Sequence, residues 1–185
     1  DKLLDVNHKQ DYRIIGQLFD TYWLIEFEDS FYMMDQHAAH EKILYERLMK
    51  QFHEKTYHSQ MIMPPVILTL SLREEQILKE NWKTFTALGY EIEEFGGKEY
   101  KVTGLPAELP TVIDCKQLLI ELIDTIADES ATHDPERITE KVASMSCKAA
   151  VKGNNRLSFK EAEELMRELM EAENPYNCPH GRPTL

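Results

Sequence analysis

A chain of 185 residues, 42 % hydrophobic and 29 % charged, is long enough to bury the core of one large domain or two small ones. Its formal net charge of −12 argues against a self-sufficient nucleic-acid binder, which needs a Lys/Arg surface to neutralise phosphates. Three cysteines, Cys115, Cys147 and Cys178, are too few and too odd in number for a disulfide framework, and no apolar run approaches the roughly 20 residues of a membrane span. With no secretory leader in view, we expect a reduced, intracellular protein without a membrane partner. The start at Asp1 leads us to expect a domain cut from a longer protein.

Residues 11–34 read as three strands, Tyr12–Phe19, Tyr22–Phe27 and Phe31–Met34, whose short connections predict an antiparallel meander. A helix follows from Gln36 to about Phe52. At about 100° per residue, His37, Glu41, Leu44 and Leu48 fall on one inward stripe, with Lys42, Glu46 and Lys50 on the opposite, solvated face. A polar loop, His53–Ser59, leads into Gln60-Met61-Ile62-Met63-Pro64-Pro65, where two prolines predict a break between units. Val66–Leu70 reads as a short strand. Ser71 and Glu74 form the capping box of a helix to Leu88, stopped by Gly89. Tyr90–Phe95 and Glu99–Val102 flank Gly96-Gly97 as a hairpin, and Asp114 with Gln117 caps a helix through about Asp128.

Ser130–His133 is polar and unpatterned, a second boundary. Asp134-Pro135 starts a helix to about Val151, stopped at Gly153-Asn154-Asn155. Ser158 and Glu161 cap the last helix, to about Ala172, and Asn174-Pro175 ends it. The expected class is α/β (α+β) with two subdomains: residues 1–63 with 134–185, and a smaller α/β unit at 64–133 inserted between those halves.

Asp35-Gln36-His37-Ala38-Ala39-His40-Glu41 holds the polar residues that fit a surface helix least well. A buried carboxylate is costly unless paired or bound to a metal, so an inward His37 and Glu41 one turn apart form half of a candidate metal site, with Asp35 at the strand end beside them. The alternative is an N-capping aspartate, a hydrogen-bonded core histidine and a salt-bridged glutamate. Near the C-terminus, Cys178-Pro179-His180 sets a thiol and an imidazole two residues apart in a proline-stiffened loop, a good zinc pair or else a structural cysteine beside a surface histidine. Cys147 is a core residue or a further ligand. His40 and His53 read as surface histidines, and Cys115 as structural.

Taken together these segments resemble the C-terminal domain of the endonuclease-type MutL mismatch-repair proteins. Asp35-Gln-His-Ala-x-x-Glu41 with Glu46 is similar to that family's D-Q-H-A-x-x-E-x-x-x-x-E motif. Gly16-Gln17, Ser146-Cys147-Lys148 and Cys178-Pro-His-Gly-Arg-Pro183 agree in kind and in order over essentially the whole chain. Lys148 stands where many relatives carry arginine, a departure that keeps the positive charge.

The resemblance implies a homodimeric, metal-dependent domain that nicks DNA in mismatch repair. Its dimerisation subdomain would be built from both chain ends and its external, regulatory subdomain from the middle. ATP would be bound by an N-terminal domain outside this chain, which also supplies what the acidic charge lacks for DNA binding. His37, Glu41, Cys147, Cys178 and His180 are the expected metal ligands, with Asp35 and Glu41 as catalytic carboxylates. Zinc is expected at the sulfur and nitrogen donors, in a structural or regulatory role, and manganese or magnesium as the catalytic ion. Glu46 is expected to be structural or to reach the site from an edge. The competing reading is a non-enzymatic dimerisation module whose zinc ties the tail to the first helix.

The meander has apolar residues on both alternating faces, more than one helix layer covers, which also predicts a homodimer. Gln60, Met61, Ile62, Met63 and Pro64 resemble the glutamine-led motif with which relatives bind the replication sliding clamp; the plainer reading is an edge strand. The mismatch-recognition protein is expected as a partner of the longer protein, and the cytoplasm of a bacterium, in association with the nucleoid, as its location.

Overall fold

The computed structural model describes residues 12–110, 113–129, 134–151 and 156–185. In chain order these form β1 (Arg13–Leu18), β2 (Tyr22–Phe27), β3 (Ser30–Asp35), α1 (Gln36–Glu54), β4 (Ser59–Thr69), α2 (Leu72–Glu80), α3 (Trp82–Ala87), β5 (Glu91–Gly96), β6 (Glu99–Pro106), α4 (Cys115–Glu129), α5 (Pro135–Val151) and α6 (Phe159–Glu171). Packing divides the chain into two compact units, one of residues up to Glu46 and from Val151 onward, the other from Arg47 to Ala150. The divisions by packing fall at 46/47 and 150/151 rather than at 63/64 and 133/134, because the second half of α1, all of β4 and most of α5 pack within the second unit. The boundary expected at Ser130–His133 and the helix stop at Gly153–Asn155 lie outside the described residues.

In the first unit β1, β2 and β3 form the expected meander, in order β1-β2-β3, with Trp23↔Met34 and Ile25↔Tyr32 among the paired positions. Alternation sends Trp23, Ile25, Phe27 and Met34 to one face, where they bury against Ala39 and Ile43 of α1 and Ala162, Leu165, Met166 and Leu169 of α6. α6 starts at Ser158, whose hydroxyl accepts from the Glu161 N–H while the Glu161 carboxylate accepts from the Ser158 N–H. The other face of the sheet carries Ile15, Leu18, Phe31 and Met33, all exposed.

The second unit is built on a sheet of order β4-β6-β5 whose buried face, Leu68, Ile92, Tyr100 and Val102, lies on the side of its helices. Here the structure corrects three expectations. Gln60–Pro65 is no break: β4 runs from Ser59 to Thr69, and Ser59, Gln60 and Met61 pair with Pro106, Leu105 and Gly104 of β6. The prolines are tolerated because β4 is an edge strand and its ladder with β6 lapses between Met61 and Val66, where no N–H is needed. The helix expected to reach Leu88 divides at Asn81, whose side-chain amide and backbone N–H both donate to the Ile77 carbonyl and so end α2 there. The expected box at Asp114 is half formed: Asp114 accepts from the Gln117 N–H, but the Gln117 side chain donates to Glu121. Gly89 ends α3 with φ +95°, and a Cβ there would stand 2.7 Å from the His58 carbonyl oxygen, so the glycine serves both the turn and the close approach.

Candidate metal centre

Asp35 ends β3 and begins α1. Its N–H donates to the Thr184 carbonyl at 2.9 Å, and its Oδ1 accepts from the N–H groups of His37 at 2.9 Å and Ala38 at 3.0 Å, which is N-capping. Gln36, only 2 % exposed, accepts at Oε1 from Trp23 Nε1 (3.0 Å) and Gln17 Nε2 (3.1 Å). The start of α1 is thereby tied to β1, β2 and the C-terminal tail at once. Neither the role of Gln36 nor that of Gln17 follows from residue patterns, although the Gly16-Gln17 match marked the place.

The tail is a tight turn stitched to itself. Cys178 N–H donates to the Arg182 carbonyl and Gly181 N–H to the Cys178 carbonyl, each at 2.9 Å, while Asn177 and Pro183 form a bridge. Gly181 sits at φ +79°, the left-handed conformation that lets the chain reverse there. Thr184, fully buried, donates through Oγ1 to the Pro175 carbonyl. Cys178 and His180 are in this way carried on a closed loop whose end is pinned to Asp35.

That loop brings Cys178 and His180 to Glu41. One ligand atom from each of the three lies within 4.8 Å of the others, and Glu41 and Cys178 are 3 % and 4 % exposed. His180 Nδ1 is 3.1 Å from Glu41 Oε2, and Arg182 Nη2 is 2.7 Å from Glu41 Oε1. The hydrogen bond to Glu41 holds the Arg182 guanidinium above its ordinary pKa, and Cys178 adds to the effect. A thiol, an imidazole and a carboxylate so close together fit a small divalent cation of zinc-like preference. Arg182 was not singled out from the sequence, although it stands inside the tail motif.

The remaining expected residues take other places. His37 is half-buried and stands at the cap, its Nδ1 4.0 Å from Asp35 Oδ1; it is not a member of the group of three. Cys147 is fully buried on α5 in the second unit, next to Ser146, which shares a 2.6 Å hydrogen bond with Tyr90. Lys42 and Glu46 do not share a solvated face: Lys42 is 9 % exposed and pairs with Glu46 at 2.8 Å, and Glu46 Oε2 accepts from the Glu173 N–H at 3.1 Å. The chain after α6 folds back over this side of α1, which no helical wheel of α1 alone foretells. Gln60 lies in β4 with its amide donating to the carbonyls of Pro106 and Leu109, while Met61 and Met63 are 76 % and 77 % exposed and Ile62 is half-buried. Burial pushes the Cys115 thiol up to about 12, which suits a structural residue.

An α+β protein of two units, with a carboxylate, thiol and imidazole gathered from its first helix and its tail, is the class that fold and site define. The sequence model described as "MutL C terminal dimerisation domain" matches residues 15–157. The chain is 52 % identical over 177 residues to a DNA mismatch repair protein MutL of Agathobacter rectalis, covering 96 % of this chain and 27 % of that protein. It is 38 % identical over 181 residues to a DNA mismatch repair protein MutL of Caldanaerobacter subterraneus, 98 % of this chain and 30 % of that one. The chain belongs to the MutL C-terminal dimerisation domain family, and it spans less than a third of the length of these relatives. Among the described residues no helix is long and apolar enough to cross a membrane.

Proposed function

We propose that this domain is the homodimeric, metal-dependent DNA-nicking part of a mismatch-repair protein. The observation that carries this reading is the convergence of Glu41, Cys178 and His180 within 4.8 Å, from segments of the chain far apart in sequence. These three would hold the cation, with His37 as a further ligand that the family motif implies. A bound divalent cation supplies Lewis-acid stabilisation of charge on phosphoryl oxygens and a lowered pKa for water. Zinc suits the thiol and imidazole, and manganese or magnesium the carboxylates Asp35 and Glu41. The cap bonds of Asp35 both end on Oδ1, which leaves Oδ2 to position water or an ion.

Dimerisation draws support from the exposed apolar face of the β1-β2-β3 sheet and from membership of a dimerisation-domain family. In the proposed scheme residues 1–63 and 134–185 form the dimerisation and catalytic subdomain and 64–133 the external one. DNA is bound weakly by this acidic domain and recruited with help from the longer protein, which binds ATP elsewhere and meets the mismatch-recognition protein. Gln60–Pro64 is the candidate contact for the sliding clamp. The exposed Met61 and Met63 support that role, and because the Gln60 amide is bonded within its own unit, docking would have to exchange those bonds. A bacterial cytoplasm, near the nucleoid, is the matching location.

Nicking of supercoiled plasmid with added manganese, by the longer protein, tests the reading. Asp35→Asn and Glu41→Lys are each expected to abolish nicking; nicking that survives in both overturns the endonuclease. Zinc bound by an unsubstituted protein that does not nick would favour the tie between tail and helix alone.

A further inference from the structure

Arg182 is the one charged side chain of the tail turn that the proposed ligand set leaves without a task. Its guanidinium meets Glu41 Oε1 at 2.7 Å, whereas His180 Nδ1 meets the other oxygen, Oε2, at 3.1 Å. The two oxygens of one carboxylate thus have separate partners. The Glu41 side chain is 4 % exposed, so water cannot replace a lost partner, while Arg182 is 46 % exposed and would ordinarily gain little from such a pair. The turn makes the pairing specific: the Arg182 carbonyl accepts from the Cys178 N–H, which fixes the arginine backbone beside the thiol it accompanies.

We propose that Arg182 is a positioning residue that holds Glu41 by Oε1, so that Oε2 is presented with Cys178 Sγ and His180 Nδ1 to the cation. The proposal rests on the metal reading of the site. Partners that orient a ligating carboxylate govern affinity without touching the metal, typically by about 10–100-fold. A planar fork held at one oxygen does this better than an ammonium, which is a point charge free to sit on either.

Zinc affinity of the purified full chain, measured by competition with a chromophoric chelator, tests it in Arg182→Ala and Arg182→Lys. A loss of about 10–100-fold in the alanine variant, partly recovered by lysine, is expected. Cobalt supplies a second readout. At saturation the alanine variant should keep the thiolate-to-cobalt absorption of the unsubstituted protein, because Cys178 and His180 still ligate and only the presentation of Glu41 has weakened. Unchanged affinity would make Arg182 a surface ion pair, and tighter binding would make it a competitor for the carboxylate; either overturns the proposal. If the alanine variant does not fold, the lysine variant decides: affinity equal to that of the unsubstituted chain overturns the need for the fork. Equal zinc binding by the unsubstituted chain and by Cys178→Ser would overturn the metal reading itself, and this proposal with it.

Discussion

Both sheets are three-stranded and antiparallel, one a meander and the other with β6 between β4 and β5, and they differ in what their outer faces ask for. In β1-β2-β3 the face turned away from the core carries Ile15, Leu18, Phe31 and Met33, between 42 % and 62 % exposed. In β4-β6-β5 the corresponding positions Ile67, Lys101 and Glu93 lie in register, and Lys101 pairs with Glu93 at 2.8 Å. Three antiparallel strands need one buried face to be stable, and both sheets have it. The first carries the larger group of apolar side chains on the remaining face, and burying them against a second copy returns about 25 cal/mol for each Å² removed from water. Each outer face also carries one ion pair, Arg13 with Glu26 in the first and Lys101 with Glu93 in the second, but in the second only Ile67 stands beside it, so that face gains less from such a partner.

Charging the first outer face should therefore break assembly where charging the second does not. Phe31→Glu with Met33→Lys is expected to convert dimer to monomer at micromolar concentration, since charges would be buried against an apolar surface. Sedimentation equilibrium decides, with Ile67→Glu as the counterpart expected to leave the assembly state unchanged. Dissociation in both variants would remove the distinction between the sheets.

A smaller effect separates the units by what holds them. In the first unit Glu46 joins α1 to the start of the tail through the Glu173 N–H and pairs with Lys42. Glu46→Ala leaves a 9 %-exposed lysine and a backbone donor without that carboxylate, and should destabilise the protein by about 1–3 kcal/mol. Because the tail carries Cys178 and His180, zinc affinity should fall in the same variant. Denaturant titration with and without zinc checks both, and an unchanged zinc increment would confine Glu46 to a role away from the site.

The smallest expected difference is none at all. Ser71 in the second unit and Ser158 in the first open helices with the same capping box, so Ser71→Ala and Ser158→Ala should each cost about 1 kcal/mol by thermal unfolding. The serine hydrogen bond comes first in holding the Glu74 and Glu161 carboxyls below their ordinary range. A carboxyl depressed in the folded state contributes its stability above the ordinary carboxylate pKa and loses it as pH falls through the folded one. The penalty of each substitution should accordingly shrink in acid.

Local signals were legible in the sequence wherever neighbouring residues generate them. The meander, the two capping boxes at Ser71 and Ser158, the Asp134 cap and the hairpin at Gly96-Gly97 all depend on contacts within a few residues, and the structure has them. The family, too, was visible, because its motifs are short strings in a preserved order. What only the tertiary structure decided is which sides of α1 are covered. Helical periodicity assigned Lys42 and Glu46 to water, yet Lys42 is buried and Glu46 accepts from the returning tail, which also supplies Arg182 to a glutamate whose salt-bridge partner the sequence left unnamed. Burial is set by which distant segment lies against a helix, and the angle between residues on that helix carries no record of it. The same holds for Gln60–Pro65: two prolines read alone mean a break, whereas at an edge strand facing a lapse in the ladder they cost no hydrogen bond and the strand continues.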